Sequence, residues 1–217
     1  TRSKRDWSSD VCSSDLSFHE TKNYTSGGEG GLIIINDPRF IERAEIIREK
    51  GTNRSQFFRG IVDKYSWVDV GSSYLPGELQ AAYLWGQLEQ ANEIIKSRLL
   101  TWNIYYDAFG SYEREGKLEL PNIPENCTHN AHMFYLKLPS IDQRTLFIEF
   151  LKQNEILSVF HYIPLHSSPA GKTYSRFFGP DLRTTTESEK LVRLPMYYGM
   201  DKVDLTKIIR VVQGFFS

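Results

Sequence analysis

A chain of 217 residues can bury a sizeable core as one domain or two small ones, and its 40% apolar and 24% charged residues exclude a disordered or fibrous protein. A net charge of −1 leaves no overall basic footprint for nucleic acid, and no apolar run reaches the ~18–20 residues that a membrane-spanning helix requires. Two cysteines, Cys12 and Cys127, supply neither a disulfide framework nor a metal-ligand spacing, so a reducing, cytoplasmic setting and no metal are expected.

Residues 1–16, TRSKRDWSSDVCSSDL, are rich in Ser and Asp and lack the apolar run of a signal peptide and any helical or strand periodicity. From Asp6 to Leu16 they read as the translation of a sequencing-adapter oligonucleotide, so residues 1–16 are expected to be non-native and the natural chain to resume near Ser17. The glycine-rich run Gly27-Gly28-Glu29-Gly30-Gly31 then leads into Leu32–Ile35, the continuous apolar pattern of a strand buried on both faces. Asp37 as N-cap and Pro38 at the first helical position predict a helix. Its apolar stripe is Phe40, Ile41, Ala44 and Ile47, and Gly51 is its left-handed C-cap. Residues 52–76 are polar, aromatic and loop-like. From Gly77 to about Glu115 the chain reads as a long helical region broken near Gly110. Leu79, Ala82, Tyr83, Leu84, Trp85 and Leu88 are too widely spread for one stripe, which predicts burial between elements or in a subunit interface.

Pro121 to Pro124 marks a boundary before a second unit. Met133–Leu138 alternates as a strand does, Asp142 is placed to cap a helix carrying Phe147 and Leu151, and Ile156–Phe160 reads as another strand. Thr186-Glu187-Ser188-Glu189 has capping-box spacing and predicts a helix running up to Pro195. Asp204 opens a final helix with Ile208, Val211, Val212 and Phe215 on one face. Residues 121–217 thus read as a small α+β domain.

The first place where chemistry could sit is Ser17-Phe18-His19-Glu20-Thr21-Lys22, just before the glycine-rich turn. A lysine amine becomes a nucleophile toward aldehydes when its surroundings favour the neutral form, and a glycine turn lets backbone approach a ligand closely. Spacing alone does not single out Lys22, because an isolated loop lysine is ordinarily a solvated surface residue.

Four motifs taken together do single it out. They are S-F-H-x-x-K-N followed by G-G-E-G-G; Gly71-Ser72-Ser73-Tyr74-Leu75 followed by Glu78–Ala82 and Gln87-Leu88; His161–His166 with Pro169; and Leu194-Pro195-Met196-Tyr197. In this order, from Ser17 to Ser217, the chain resembles the DegT/DnrJ/EryC1/StrS sugar aminotransferases. The resemblance implies an α/β protein, the C-terminal half of a pyridoxal-phosphate (PLP) dependent fold type I aminotransferase. Residues 17–76 would be a remnant of the PLP-binding large domain, 77–120 a helical linker and 121–217 the small α+β domain.

It further implies that Lys22 holds PLP covalently and then carries the reaction's proton, and that Ser17 binds the cofactor phosphate. Ser73 falls where most relatives carry an asparagine that reaches the phosphate of the neighbouring subunit, and Leu75 replaces a family arginine. His161, Tyr162 and His166 correspond to the loop near the sugar-nucleotide substrate. Asn53 and Arg54, with Arg59 and Lys64, are candidates for the nucleotide phosphates, since guanidinium pairs bidentately with phosphate. The implied partners are glutamate as donor, a dTDP-linked 4-keto-6-deoxyhexose as acceptor and a second subunit in a homodimer.

In the family the phosphate-binding Gly-Thr loop, the aromatic that stacks on the cofactor and the aspartate that pairs with the pyridinium nitrogen all precede the lysine. None occurs here, so the encoded enzyme is expected to transaminate and this chain alone is not. Its uncovered strand edges are expected to favour aggregation. Two alternatives stay open: an aminotransferase for another nucleotide ketosugar, and a non-catalytic binding domain built from Pro121–Ser217. A dehydratase relative is disfavoured, because there a histidine replaces the lysine.

Overall fold

A computed structural model describes residues 14–217, which fall into two units, one ending at Ala91 and one beginning at Asn92. Cys12 and most of the stretch read as non-native lie outside the described residues.

In the first unit, β1 (Ser14–Ser17) pairs antiparallel with β2 (Gly31–Ile34), Ser14 facing Ile34 and Ser17 facing Gly31. β2 is the strand that the apolar run predicts, but the expectation that it is buried on both faces fails: Leu32, Ile33 and Ile34 are 48%, 59% and 42% exposed. A doubly buried strand needs layers on both faces, and among the described residues β2 pairs with β1 alone.

Asp37 caps as expected, its Oδ1 accepting the Arg39 N–H at 2.9 Å. The chain first makes one 3-10 turn at Pro38–Phe40 and only then α1 (Ile41–Arg48). Lys50 and Gly51, both with positive φ, end it. The expected loop holds a short helix, α2 (Arg54–Phe58).

α3 (Glu78–Glu89) starts at Gly77, whose N–H donates to Gln80 Oε1 at 3.2 Å. Its apolar side chains are open rather than buried, with Leu79 88% and Trp85 67% exposed. The helical stretch breaks at Gln90, and Gly110 lies within the next helix, α4 (Ala91–Arg114).

The second unit continues with β3 (Phe134–Lys137), α5 (Ile141–Gln153), β4 (Val159–Phe160), α6 (Pro169–Tyr174), α7 (Thr184–Lys190), β5 (Leu191–Leu194) and α8 (Lys202–Phe216). The sheet has the order β3-β5-β4 and both pairings are antiparallel. Its central strand, β5, occupies residues expected to be helical, because α7 runs straight into it with no breaker between. Thr186 lies inside α7 rather than capping it. Ser140 caps α5, accepting the Gln143 N–H at 3.2 Å, and Asp201 caps α8, accepting the Asp204 N–H at 2.7 Å. In each case the cap comes earlier than Asp142 or Asp204, which sit in the first turns.

The core is aromatic at its centre. Tyr105, Phe109, Phe134, Leu136, Phe147, Leu151, Val192 and Val212 are fully buried. α4 is therefore part of this core, and Trp102 on it is buried and stacks on Tyr106 at 5.0 Å between ring centroids. The Tyr105 hydroxyl donates to the Pro195 carbonyl at 2.9 Å. Arg98, also buried, donates to the carbonyls of Ala131 and His132 at 2.9 and 2.6 Å, fixing the approach to β3. Among the described residues no helix is long and apolar enough to cross a membrane.

Candidate cofactor and substrate site

Lys22 stands on the loop between β1 and β2. The loop closes on itself: the Phe18 N–H donates to Gly30 O at 2.8 Å, and the Ser26 N–H donates to Phe18 O at 2.9 Å. The buried Ser26 hydroxyl lies 2.9 Å from Glu29 O and 3.1 Å from Phe18 O. A Cβ at Gly30 would come within 2.5 Å of that hydroxyl, so the closure requires glycine there. Gln80 of α3 donates to Glu29 O at 3.1 Å, and the Tyr83 ring sits 3.5 Å from where a Cβ on Gly27 would be.

On this frame the Lys22 N–H donates to His19 O at 2.9 Å, a single turn that sets the lysine at the rim with its side chain exposed. Ser17, also exposed, accepts the His19 N–H at 3.3 Å, which uses a lone pair of its hydroxyl and not the hydrogen. His19 was given no role from sequence, although it lies inside the lysine motif. Its Nδ1 accepts the Thr21 N–H at 3.2 Å, so in the neutral ring the proton sits on Nε2, 3.6 Å from Glu29 Oε1. These residues fit PLP: a solvent-facing amine for the aldehyde, a hydroxyl for the phosphate, and a tight glycine loop following them.

The other candidates of the first unit lie on two joined segments. The Lys50 N–H donates to Ser72 O at 3.0 Å, and Ser73 pairs with Glu49 across an antiparallel bridge. Asn53 Oδ1 accepts the Ser66 N–H at 2.8 Å, so this side chain latches its own loop. Arg59 makes two hydrogen bonds to Glu45, at 3.0 and 2.5 Å, which neutralise its charge and raise its pKa. Arg54 is exposed and stacks over Phe58 at 5.0 Å.

In the second unit, the loop after β4 carries His161, Tyr162 and His166 in two environments. Arg193 of β5 stacks over Tyr162 at 5.4 Å and donates to Phe160 O at 3.3 Å. Burial, and then the charge of Arg193, push the His161 pKa below its ordinary value, so the ring is neutral at pH 7. His166 turns elsewhere: its Nε2 lies 2.8 Å from Asp181 Oδ2, and its ring packs on Phe177 at 4.1 Å between centroids. Asp181 also accepts from the Thr185 hydroxyl and N–H, and these bonds with His166 hold its carboxyl below the usual range. Neither Arg193 nor Asp181 carries a motif that would have marked it. Among the described residues no group of three or more metal-ligating side chains converges, and Cys127 is exposed with a free thiol.

Residues 11–213 match the model of the DegT/DnrJ/EryC1/StrS aminotransferase family. The chain belongs to this family. An uncharacterized protein of Methanocaldococcus jannaschii is 31% identical over 211 residues, covering 93% of this chain and 53% of that protein. The dTDP-3-amino-3,4,6-trideoxy-alpha-D-glucose transaminase of Streptomyces venezuelae is 24% identical, covering 91% of this chain and 48% of that enzyme. The chain thus spans about half the length of the curated relatives it matches. In fold it is similar to the aminotransferase TlmJ of Streptoalloteichus hindustanus, with a TM-score of 0.80 at 19% identity over 94% of this chain and 52% of that one. It is also similar to NtdA of Bacillus subtilis, solved with bound PMP, with a TM-score of 0.75 at 18% identity over 94% and 45% of the two chains. The mixed helix and sheet of this family member accordingly correspond to about half of a PLP-dependent aminotransferase fold.

Proposed function

We propose that the chain forms the lysine-bearing half of a PLP-dependent aminotransferase acting on a nucleotide-linked ketosugar. The observation that carries the reading is the exposed Lys22, set one turn beyond β1 on a loop whose closure at Gly30 admits no side chain. PLP bound there supplies the electron sink that makes the proton on the donor's Cα removable.

The chain's own residues do the rest. The Lys22 amine would hold the cofactor and would take up and return the proton at the donor's Cα. The Ser17 hydroxyl donates to the cofactor phosphate, and Ser73 supplies a hydroxyl where relatives have an asparagine. Arg54 meets the nucleotide phosphates, with Asn53 holding that loop in shape. His161, Tyr162 and His166 bind the sugar-nucleotide, two of them already oriented by Arg193 and Asp181.

Glutamate is the proposed donor and dTDP-4-keto-6-deoxyglucose the acceptor, giving dTDP-4-amino-4,6-dideoxygalactose. The stretch Glu49–Phe57 supports this choice through its resemblance to the transaminase that makes this sugar for enterobacterial common antigen. The dTDP-sugar transaminase of Streptomyces venezuelae supports the dTDP-sugar class. The proposal includes a cytoplasmic homodimer as the working form and no turnover by this chain alone, in keeping with the half-length match.

The test is capture of PLP: incubation, reduction with borohydride and mass-spectrometric mapping, with Lys22→Ala alongside. A label on Lys22 that the variant loses is the expected result. A label placed elsewhere, in this chain and again in a full-length protein, overturns the assignment.

A further inference from the structure

The sheet of the second unit has two unlike faces. Phe134, Leu136, Val192 and Leu194 point into the core. Alternation along β3 and β5 sends Tyr135, Lys137, Leu191 and Arg193 to the other face, where with Met133 and His161 they line a pocket of about 370 Å³. That volume lies within the range of small-molecule sites.

The two cations of the pocket are in opposite states. Lys137 Nζ is held by Glu119 and by Glu187, the latter at 2.6 Å, so its end of the pocket carries no net positive charge. The ion pairs among the described residues do not include Arg193. One of its terminal nitrogens is tied to Phe160 O and its plane rests on Tyr162, yet its Nε is buried without a hydrogen-bond partner. That nitrogen is sealed from the pocket, so a ligand oxygen would meet the terminal nitrogens, which no carboxylate among the described residues holds. Tyr135 stands directly across from Arg193 in the ladder, on the same face. His161 adds a neutral imidazole, able to donate from one ring nitrogen.

We propose that this pocket binds the oxyanion of a small molecule, a carboxylate or a phosphate, with Arg193 as its principal ligand and His161 beside it. Guanidinium is suited to either group through its planar fork of donors. The anion comes from the amino donor and its 2-oxo acid, or from the nucleotide diphosphate. The inference rests on the aminotransferase reading for these two sources of the anion, and it shares His161 with the proposed substrate loop. Arg193 belongs to none of the motifs.

The experiment is calorimetric titration of the whole chain with 2-oxoglutarate and, separately, with dTDP. Wild type is compared with Arg193→Gln and Arg193→Lys, while the arginine Nε–H resonances are followed by NMR. One ligand is expected to bind and to shift the Arg193 resonance, with affinity reduced tenfold or more in Arg193→Gln and by less in Arg193→Lys. A response to 2-oxoglutarate assigns the carboxylate source, and a response to dTDP assigns the phosphate source. Should Arg193→Gln lose its fold by circular dichroism, the Arg193→Lys affinity and the wild-type resonance shift decide alone. Wild-type affinity in Arg193→Gln, or no binding of either anion at millimolar concentration, overturns the proposal. Loss of Arg193-dependent binding with PLP capture on Lys22 intact would overturn this proposal alone, whereas a PLP label placed elsewhere in this chain and in a full-length protein, with Arg193-dependent binding intact, would overturn the Lys22 assignment alone.

Discussion

Gly71 backs directly onto Gly51: a Cβ built on Gly71 would lie 2.1 Å from the backbone nitrogen of Gly51, and one on Gly51 would lie 1.9 Å from the Asp69 carbonyl oxygen. This approach, backbone on backbone, joins the loop of Asn53 and Arg54 to the segment of Ser73. Gly71→Ala must push the two strands of chain apart, costing about 1–3 kcal/mol as overpacking does elsewhere. Urea denaturation should show the loss, and amide exchange at Lys50, which donates to Ser72, should quicken. A variant with unchanged stability and protection would contradict the packing described.

Tyr105 should govern the alkaline limit of the second unit. It is fully buried, and burial first, then the charge of Asp204 and the neighbouring Tyr197, raise its pKa far above the ordinary 10.0. The folded state keeps the proton where the unfolded chain gives it up. The stabilisation is therefore complete below pH 10 and is lost as pH climbs from there through the raised value. Tyr105→Phe leaves the Pro195 carbonyl without its donor, at about 1–3 kcal/mol near neutrality, but flattens the alkaline fall. Melting curves of both proteins from pH 7 to 11 test both halves of this statement.

Asp181 should act at the other end of the scale. Its hydrogen bonds from Thr185 and His166 hold its carboxyl below the ordinary 3.8. The sign is opposite to that of Tyr105: the contribution is present above the unfolded value and disappears as pH falls through the lower folded one. Asp181→Asn should remove that dependence. In the wild type, nitrogen-15 NMR should find the neutral His166 ring protonated on Nε2, which faces the carboxylate at 2.8 Å, and in the variant a mixture of tautomers.

Arg98 is a buried cation held by backbone carbonyls, and burial lowers its pKa. Arg98→Met fills much of the same space but removes both bonds, at about 1.5–3 kcal/mol for each bond to the charged group. Guanidinium denaturation measures the sum. Because the carbonyls belong to Ala131, in the left-handed region, and to His132, the same change should loosen the entry to β3.

Legibility in the sequence followed the range of the forces involved. β3 was readable because Phe134, Leu136 and Leu138 alternate within a few residues, and the Asp37 cap because its acceptor and donor are two residues apart. β5 was not, since Leu191–Leu194 follow a helix-like Thr-Glu-Ser-Glu-Lys run and become a strand only through pairing with β3 and β4. At α5 and α8 two cap-forming residues stood close together, Ser140 with Asp142 and Asp201 with Asp204, and local spacing favoured the wrong one of each pair. Lys22 was visible only as part of a motif, because nothing in the spacing of the residues beside it distinguishes it from any loop lysine. Arg193 and Asp181 became candidates only once distant strands and loops had brought Tyr162 and His166 to them.

β5 divides its duties by parity: Val192 and Leu194 belong to the interior, Leu191 and Arg193 to the open face. A substitution at position 193 changes what the open face can hold and leaves the interior as it was. An insertion or deletion within the strand would exchange the two sets at a stroke and forfeit the fold. Ligand preference on this face is thus free to diversify among descendants residue by residue, while the length of the strand is closed to change.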